Sequence, residues 1–168
     1  MDAGILLARV VFGLLMAAHG TQKLFGWFGG YGLAGTAGFF EGLGFRPGRL
    51  FAATAASTEI VAGVLMTLGL LGPVGPALFV SLMIVAAVTV HWQHGLFAQN
   101  QGIELPLLYG VVGAMLALTG PGAFSVDAAL GLTELSAPAM AWAMLAVAVL
   151  GGLANLAIRR PVPAPAHA

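Results

Sequence analysis

Ionisable side chains are scarce in this sequence, and His19, Lys23, Glu59, His91, His94 and Glu104 stand in or beside long apolar runs. Glu59 is the most exceptional, with Thr54, Ser57 and Thr58 within two helical turns of it. A carboxylate set in an apolar helix must be paired, hydrogen-bonded or protonated, and one that exchanges its proton can act as a relay. His19, Gln22 and Lys23 recur at i, i+3 and i+4, which places them on one helical face. Arg9, Phe12 and Met16 extend that stripe towards the N-terminus, and His91 and His94 flank Trp92 further along. Together these residue types make a set of hydrogen-bond donors and acceptors for a ring that carries carbonyl oxygens. Glu59 would relay a proton, Lys23 or His19 would donate a hydrogen bond to a carbonyl, and Phe12, Met16 or Trp92 would line the ring. Gln22, His91, His94 and Glu104 are further ligand-contact candidates. His19, His91 and His94 could in principle hold a b-type haem or a metal, but no sequence-close ligand pair favours it, so no metal site is expected. Plainer roles compete with each of these: Lys23 and Glu104 could snorkel to water, Glu59 could fix helix packing as a neutral acid, and the histidines could rest at an interface.

The elements that position these residues follow from composition. The chain is 60% hydrophobic and 7% charged over 168 residues, against about 25% charged in an ordinary soluble domain. A surface so poor in charge faces lipid rather than water. The formal charge is +0, which gives no footing for nucleic acid, and cysteine is absent, which removes thiol chemistry of the chain's own. Crossing a bilayer takes roughly 20 apolar residues. Residues 4–23, 50–71, 73–92, 103–119 and 139–158 meet or approach that length, with Pro73, Pro76 and Pro106 in first turns, where proline is tolerated. Met1-Asp2-Ala3-Gly4 lacks the basic stretch of a secretion signal, so the first run is expected to stay as a span. Glu59 then lies roughly 13 Å into the second span, nearly halfway through a core of about 30 Å.

Eight of the fifteen aromatic residues fall between Phe25 and Phe51. Leu33, Ala37, Phe40 and Gly44 share a helical face there, predicting a short interfacial helix. Ser125 is placed to cap a short turn, with Asp127 favourable at its N-terminal end. The Pro-Ala tail at 161–168 predicts disorder. Lys23, Arg46, Arg49, Arg159 and Arg160 fall on one side of the predicted bundle and only Arg9 on the other. The positive-inside rule therefore puts the N-terminus outside and the C-terminus in the cytoplasm of a bacterial inner membrane. The same topology brings His19, Lys23, Glu59, His91, His94 and Glu104 to one half of the bundle.

Several motifs resemble the DoxX family of small bacterial membrane proteins. They are Arg9, His19-Gly20 with Lys23-Leu24-Phe25, Phe39-Phe40-Glu41-Gly42-Leu43-Gly44, Glu59-Ile60-Val61-Ala62-Gly63 with Leu68-Gly69-Leu70, Gly102-Ile103-Glu104-Leu105-Pro106, and the run from Gly120-Pro121 to Val126-Asp127. They keep the family's order across residues 5–130. The resemblance implies an all-α, polytopic transmembrane bundle: a four-helix core over 1–135, with 136–160 added as a fifth transmembrane helix. It also implies kinship with a subunit of a thiosulfate:quinone oxidoreductase and with other membrane oxidoreductase complexes. The expectation is a quinone-facing or accessory subunit of a membrane redox complex, which needs a redox partner protein to bring electrons. A non-enzymatic scaffold or assembly factor is the alternative, and a small solute or proton carrier using Glu59 and Glu104 is the third.

Overall fold

The computed structural model describes residues 1–160, and the tail for which disorder is expected, 161–168, lies outside the described residues. The described residues form an all-α bundle. Helix α1 (Asp2–Phe25) ends where Gly26 turns left-handed at φ 77° and returns its N–H to the Gln22 carbonyl. A single 3₁₀ turn leads to α2 (Gly32–Gly42), the short helix expected in the aromatic stretch. Helix α3 (Gly48–Leu68) closes on a second left-handed glycine, Gly69. Helix α4 (Val74–Ala86) runs on through a π turn (Ala87–His91) and a 3₁₀ turn (Trp92–His94). Helices α5 (Glu104–Thr119), α6 (Val126–Ala129) and α7 (Pro138–Ala157) complete the chain, the last with proline in its first turn.

Helices α1, α3, Val74–His94 and α7 are long and apolar enough to cross a membrane. The fourth expected crossing, 103–119, is realised as the 16 residues of α5, about 24 Å of helix and so shorter than a typical hydrocarbon core. Outward-facing side chains such as Leu7, Leu14, Val111, Val147 and Leu150 are exposed, as a lipid-facing surface requires. Inside, Met16, Met66, Phe79 and Leu116 pack with Phe12 and Tyr109.

Small residues set the closest contact in the bundle. A Cβ on Gly13 would come within 2.7 Å of the Gly63 carbonyl oxygen, and one on Gly20 within 2.6 Å of that of Ala56. Helices α1 and α3 therefore touch backbone to backbone, antiparallel, in a register that leaves Lys23 about one turn nearer the membrane surface than Glu59.

The bundle has two distinct ends. At one, Arg9 donates to the carbonyls of Met66 (3.1 Å), Thr67 (3.2 Å), Phe124 (3.0 Å) and Pro121. Asp127, 1% exposed, accepts from the N–H groups of Leu71 (3.0 Å) and Gly72 (2.6 Å). Ser125 caps α6 as expected, its hydroxyl oxygen accepting from the Ala128 N–H. At the other end, Arg159 donates to the Leu43 carbonyl (2.8 Å) and the Arg160 N–H to that of Gly44 (2.9 Å), which ties the exit of α7 to the α2–α3 connection.

Candidate functional site

Lys23 and Glu59 form a salt bridge between α1 and α3. Glu59 is 4% exposed, and its Oε1 accepts from the Lys23 ammonium, whose side chain is a third exposed. Lys23 reaches inward to do this, down the groove that the glycine contact between α1 and α3 holds narrow. Thr36 of α2 fastens the same corner by donating to the Lys23 carbonyl (3.2 Å). The other carboxylate oxygen, Glu59 Oε2, is buried and has no hydrogen-bond partner, the one such side-chain atom among the described residues.

Beside this pair lies a cavity of about 290 Å³, near the lower limit for small-molecule sites. Phe39, Phe40, Phe45 and Phe51 form its aromatic wall, and Leu78, Leu82 and Val85 of α4 its aliphatic one. The phenylalanines pack on each other, with ring centroids 5.7 Å apart for Phe40 and Phe45 and 5.3 Å for Phe45 and Phe51. Thr54, Thr58, Ser81, Thr89 and Asn155 add polar atoms. The hydroxyls of Thr58 and Thr89 are spent on their own helices, donating to the Thr54 and Val85 carbonyls at 2.8 Å each. The π turn at Ala87–His91 shifts α4 beside the cavity, a distortion common near functional sites.

Of the candidate site residues named from the sequence, Lys23 and Glu59 meet here, with Thr54 and Thr58 beside them in the cavity lining. His19 is exposed, one turn before Lys23 on the same face of α1, and makes no side-chain hydrogen bond among the described residues. Gln22 donates to the Phe28 carbonyl at 3.5 Å. His91 Nδ1 contacts the Gln101 carbonyl oxygen at 2.6 Å, and His94 contacts Gln93. Glu104 caps the preceding turn by accepting from the Ala98 N–H at 2.7 Å. Among the described residues no group of three ligating side chains is gathered for a metal. Phe12 and Met16 pack into the core, Phe12 edge-on to Tyr109, and Trp92 is 68% exposed; the aromatic side chains that line the cavity are the phenylalanines of α2, α3 and their connection. The aromatic density between Phe25 and Phe51 was the available signal for that wall. Nothing in the spacing singled out Ser81 or Asn155, which reach the cavity from distant helices.

The model of the DoxX family matches residues 4–92. A Bacillus subtilis (strain 168) protein named "Putative oxidoreductase CatD" is 30% identical over 126 residues, covering 75% of this chain and 86% of that protein. No solved structure matches. Every lining residue of the cavity except Asn155 falls within the family match.

Proposed function

The chain belongs to the DoxX family, a multi-pass membrane protein by its helices, and from that premise we propose that it is a quinone-facing subunit of a membrane redox complex. One observation carries the reading: a buried, ion-paired carboxylate with a free oxygen borders an aromatic-walled cavity. The oxidoreductase name of the Bacillus subtilis relative points the same way.

A bound quinone supplies a ring that takes up two electrons and two protons; a partner protein supplies the electrons. Lys23 holds donors beyond the one given to Glu59 and can hydrogen-bond a carbonyl oxygen at the cavity's polar end. Glu59 is an ion-paired carboxylate at rest, and its Oε2 is an acceptor that can take up a proton in transit and pass it on between the ligand oxygen and the surroundings. The phenylalanine wall keeps water from that end and orients the ring. The cavity lies towards the end that carries Lys23, Arg46, Arg49, Arg159 and Arg160, which the positive-inside rule assigns to the cytoplasm of a bacterial inner membrane.

The test is to purify the protein in mild detergent, extract it with organic solvent and quantify quinone per polypeptide beside Glu59→Gln. Near-stoichiometric quinone in the parent and loss in the variant is the expected result. Quinone at the level of an unrelated membrane protein would overturn the reading and favour a scaffold, in which Glu59 serves only packing.

A further inference from the structure

We infer that the cavity selects a ring bearing a hydroxyl over the same ring bearing a carbonyl or ether, so that its preferred occupant is the reduced, quinol-like form. The inference deepens the proposed function and rests on the cavity being a ring site. It comes from the bonding state of the polar groups around Glu59. Glu59 Oε1 is taken by Lys23. Glu59 Oε2 is buried and unpartnered. The hydroxyls of Thr58 and Thr89 and the amide of Asn155 donate to carbonyls of their own helices, and no lining side chain donates to Glu59 Oε2.

An ion-paired carboxylate is an acceptor only, and a buried acceptor without a donor is costly. A carbonyl or ether oxygen can accept from Lys23 but offers Glu59 Oε2 nothing, and leaves it orphaned. A hydroxyl does both: its oxygen accepts from Lys23 while its proton goes to Glu59 Oε2. The salt bridge thus makes the polar end of the cavity a paired donor and acceptor, matched by one O–H group. For a redox subunit this means that the site retains the reduced ring longer than the oxidised one.

The discriminating pair is para-nonylphenol and para-nonylanisole, which differ by one methyl group on the oxygen and carry no redox chemistry. Binding of each, tritiated, is measured to the full chain in phosphatidylcholine nanodiscs, with empty discs subtracted. The phenol-to-anisole affinity ratio is compared among the parent, Glu59→Gln and the double variant Lys23→Met/Glu59→Met. A hydrogen bond to a charged acceptor predicts a ratio about ten- to a hundredfold higher in the parent than in the double variant. Glu59→Gln, nearly the same shape, brings the ratio down because its amide can also donate to the ether oxygen, and it serves where the double variant fails to fold. Equal ratios in all three proteins would overturn the selection while leaving a ring site in place, since both probes would still bind above empty discs. Neither probe binding above empty discs would overturn the ring site as well.

Discussion

Lys23 turns into the bundle although water lies within its reach at the helix end. Its ammonium goes to Glu59 because a carboxylate buried beside an apolar cavity without a counter-charge is costly. Lys23→Met should therefore lower stability by about 2–3 kcal/mol, at or below the usual range for breaking a buried pair because a third of Lys23 is exposed. Lys23→Met/Glu59→Met should recover most of that loss, since two apolar side chains leave no stranded charge. Thermal unfolding of the four members of the cycle in one detergent reads the difference, and a double variant weaker than Lys23→Met would refute the account. Arg9 obeys a different logic, with its whole guanidinium fork on backbone carbonyls. Arg9→Lys should lose about 2 kcal/mol or more, because an ammonium cannot reproduce the planar fork. The positive charge remains in place in that variant, so a melting temperature equal to the parent's would show that charge alone suffices.

Helices α1 and α3 approach as closely as they do because glycine stands where they cross. Gly20→Ala should destabilise by about 1–3 kcal/mol, as its methyl group would meet the Ala56 carbonyl. Gly38→Ala in α2 has open space around the new Cβ and should be neutral or gain up to about 1 kcal/mol from helix propensity. Equal effects of the two substitutions on the melting temperature would argue against a crossing set by glycine. The α3–α4 turn is held from outside itself: Asp127 of α6 accepts both N–H groups of Leu71 and Gly72, and its own N–H donates to the Gly69 carbonyl at 3.1 Å. Its buried carboxylate thus belongs to chain reversal and lies at the other end of the bundle from the cavity.

At the scale of the whole molecule, the clamp of Arg159 and Arg160 on Leu43 and Gly44 puts the exit of α7 beside the entry of α3. The Asp2 carboxylate accepts from the Ala123 N–H at 3.0 Å, which puts the start of α1 beside the α5–α6 connection. The natural absence of cysteine makes this directly measurable. In intact cells, Ala123→Cys should react with a membrane-impermeant maleimide, and Arg49→Cys should react only after permeabilisation. Labelling of both from one side would refute the two-ended arrangement, and the reverse pattern would invert the orientation in the membrane.

The apolar runs, turn glycines and prolines were enough to predict an all-α membrane bundle, because crossing lipid demands long helices whose backbone bonds are satisfied internally. The same arithmetic predicted α2 and the Ser125 cap, which depend on neighbours a few residues away. Glu59 was conspicuous for a similar reason: a carboxylate in an apolar helix needs an account wherever the helix packs. Its partner was not legible. His19, Lys23, His91, His94 and Glu104 all fall towards the same end, and sequence spacing ranks none of them above the others. The choice of Lys23 depends on the α1–α3 register, which contacts far apart in sequence at Gly13, Gly20, Gly63 and Ala56 create. The cavity wall is tertiary for the same reason, since Phe45, Leu82 and Asn155 come from separate segments whose proximity exists only once the helices have packed.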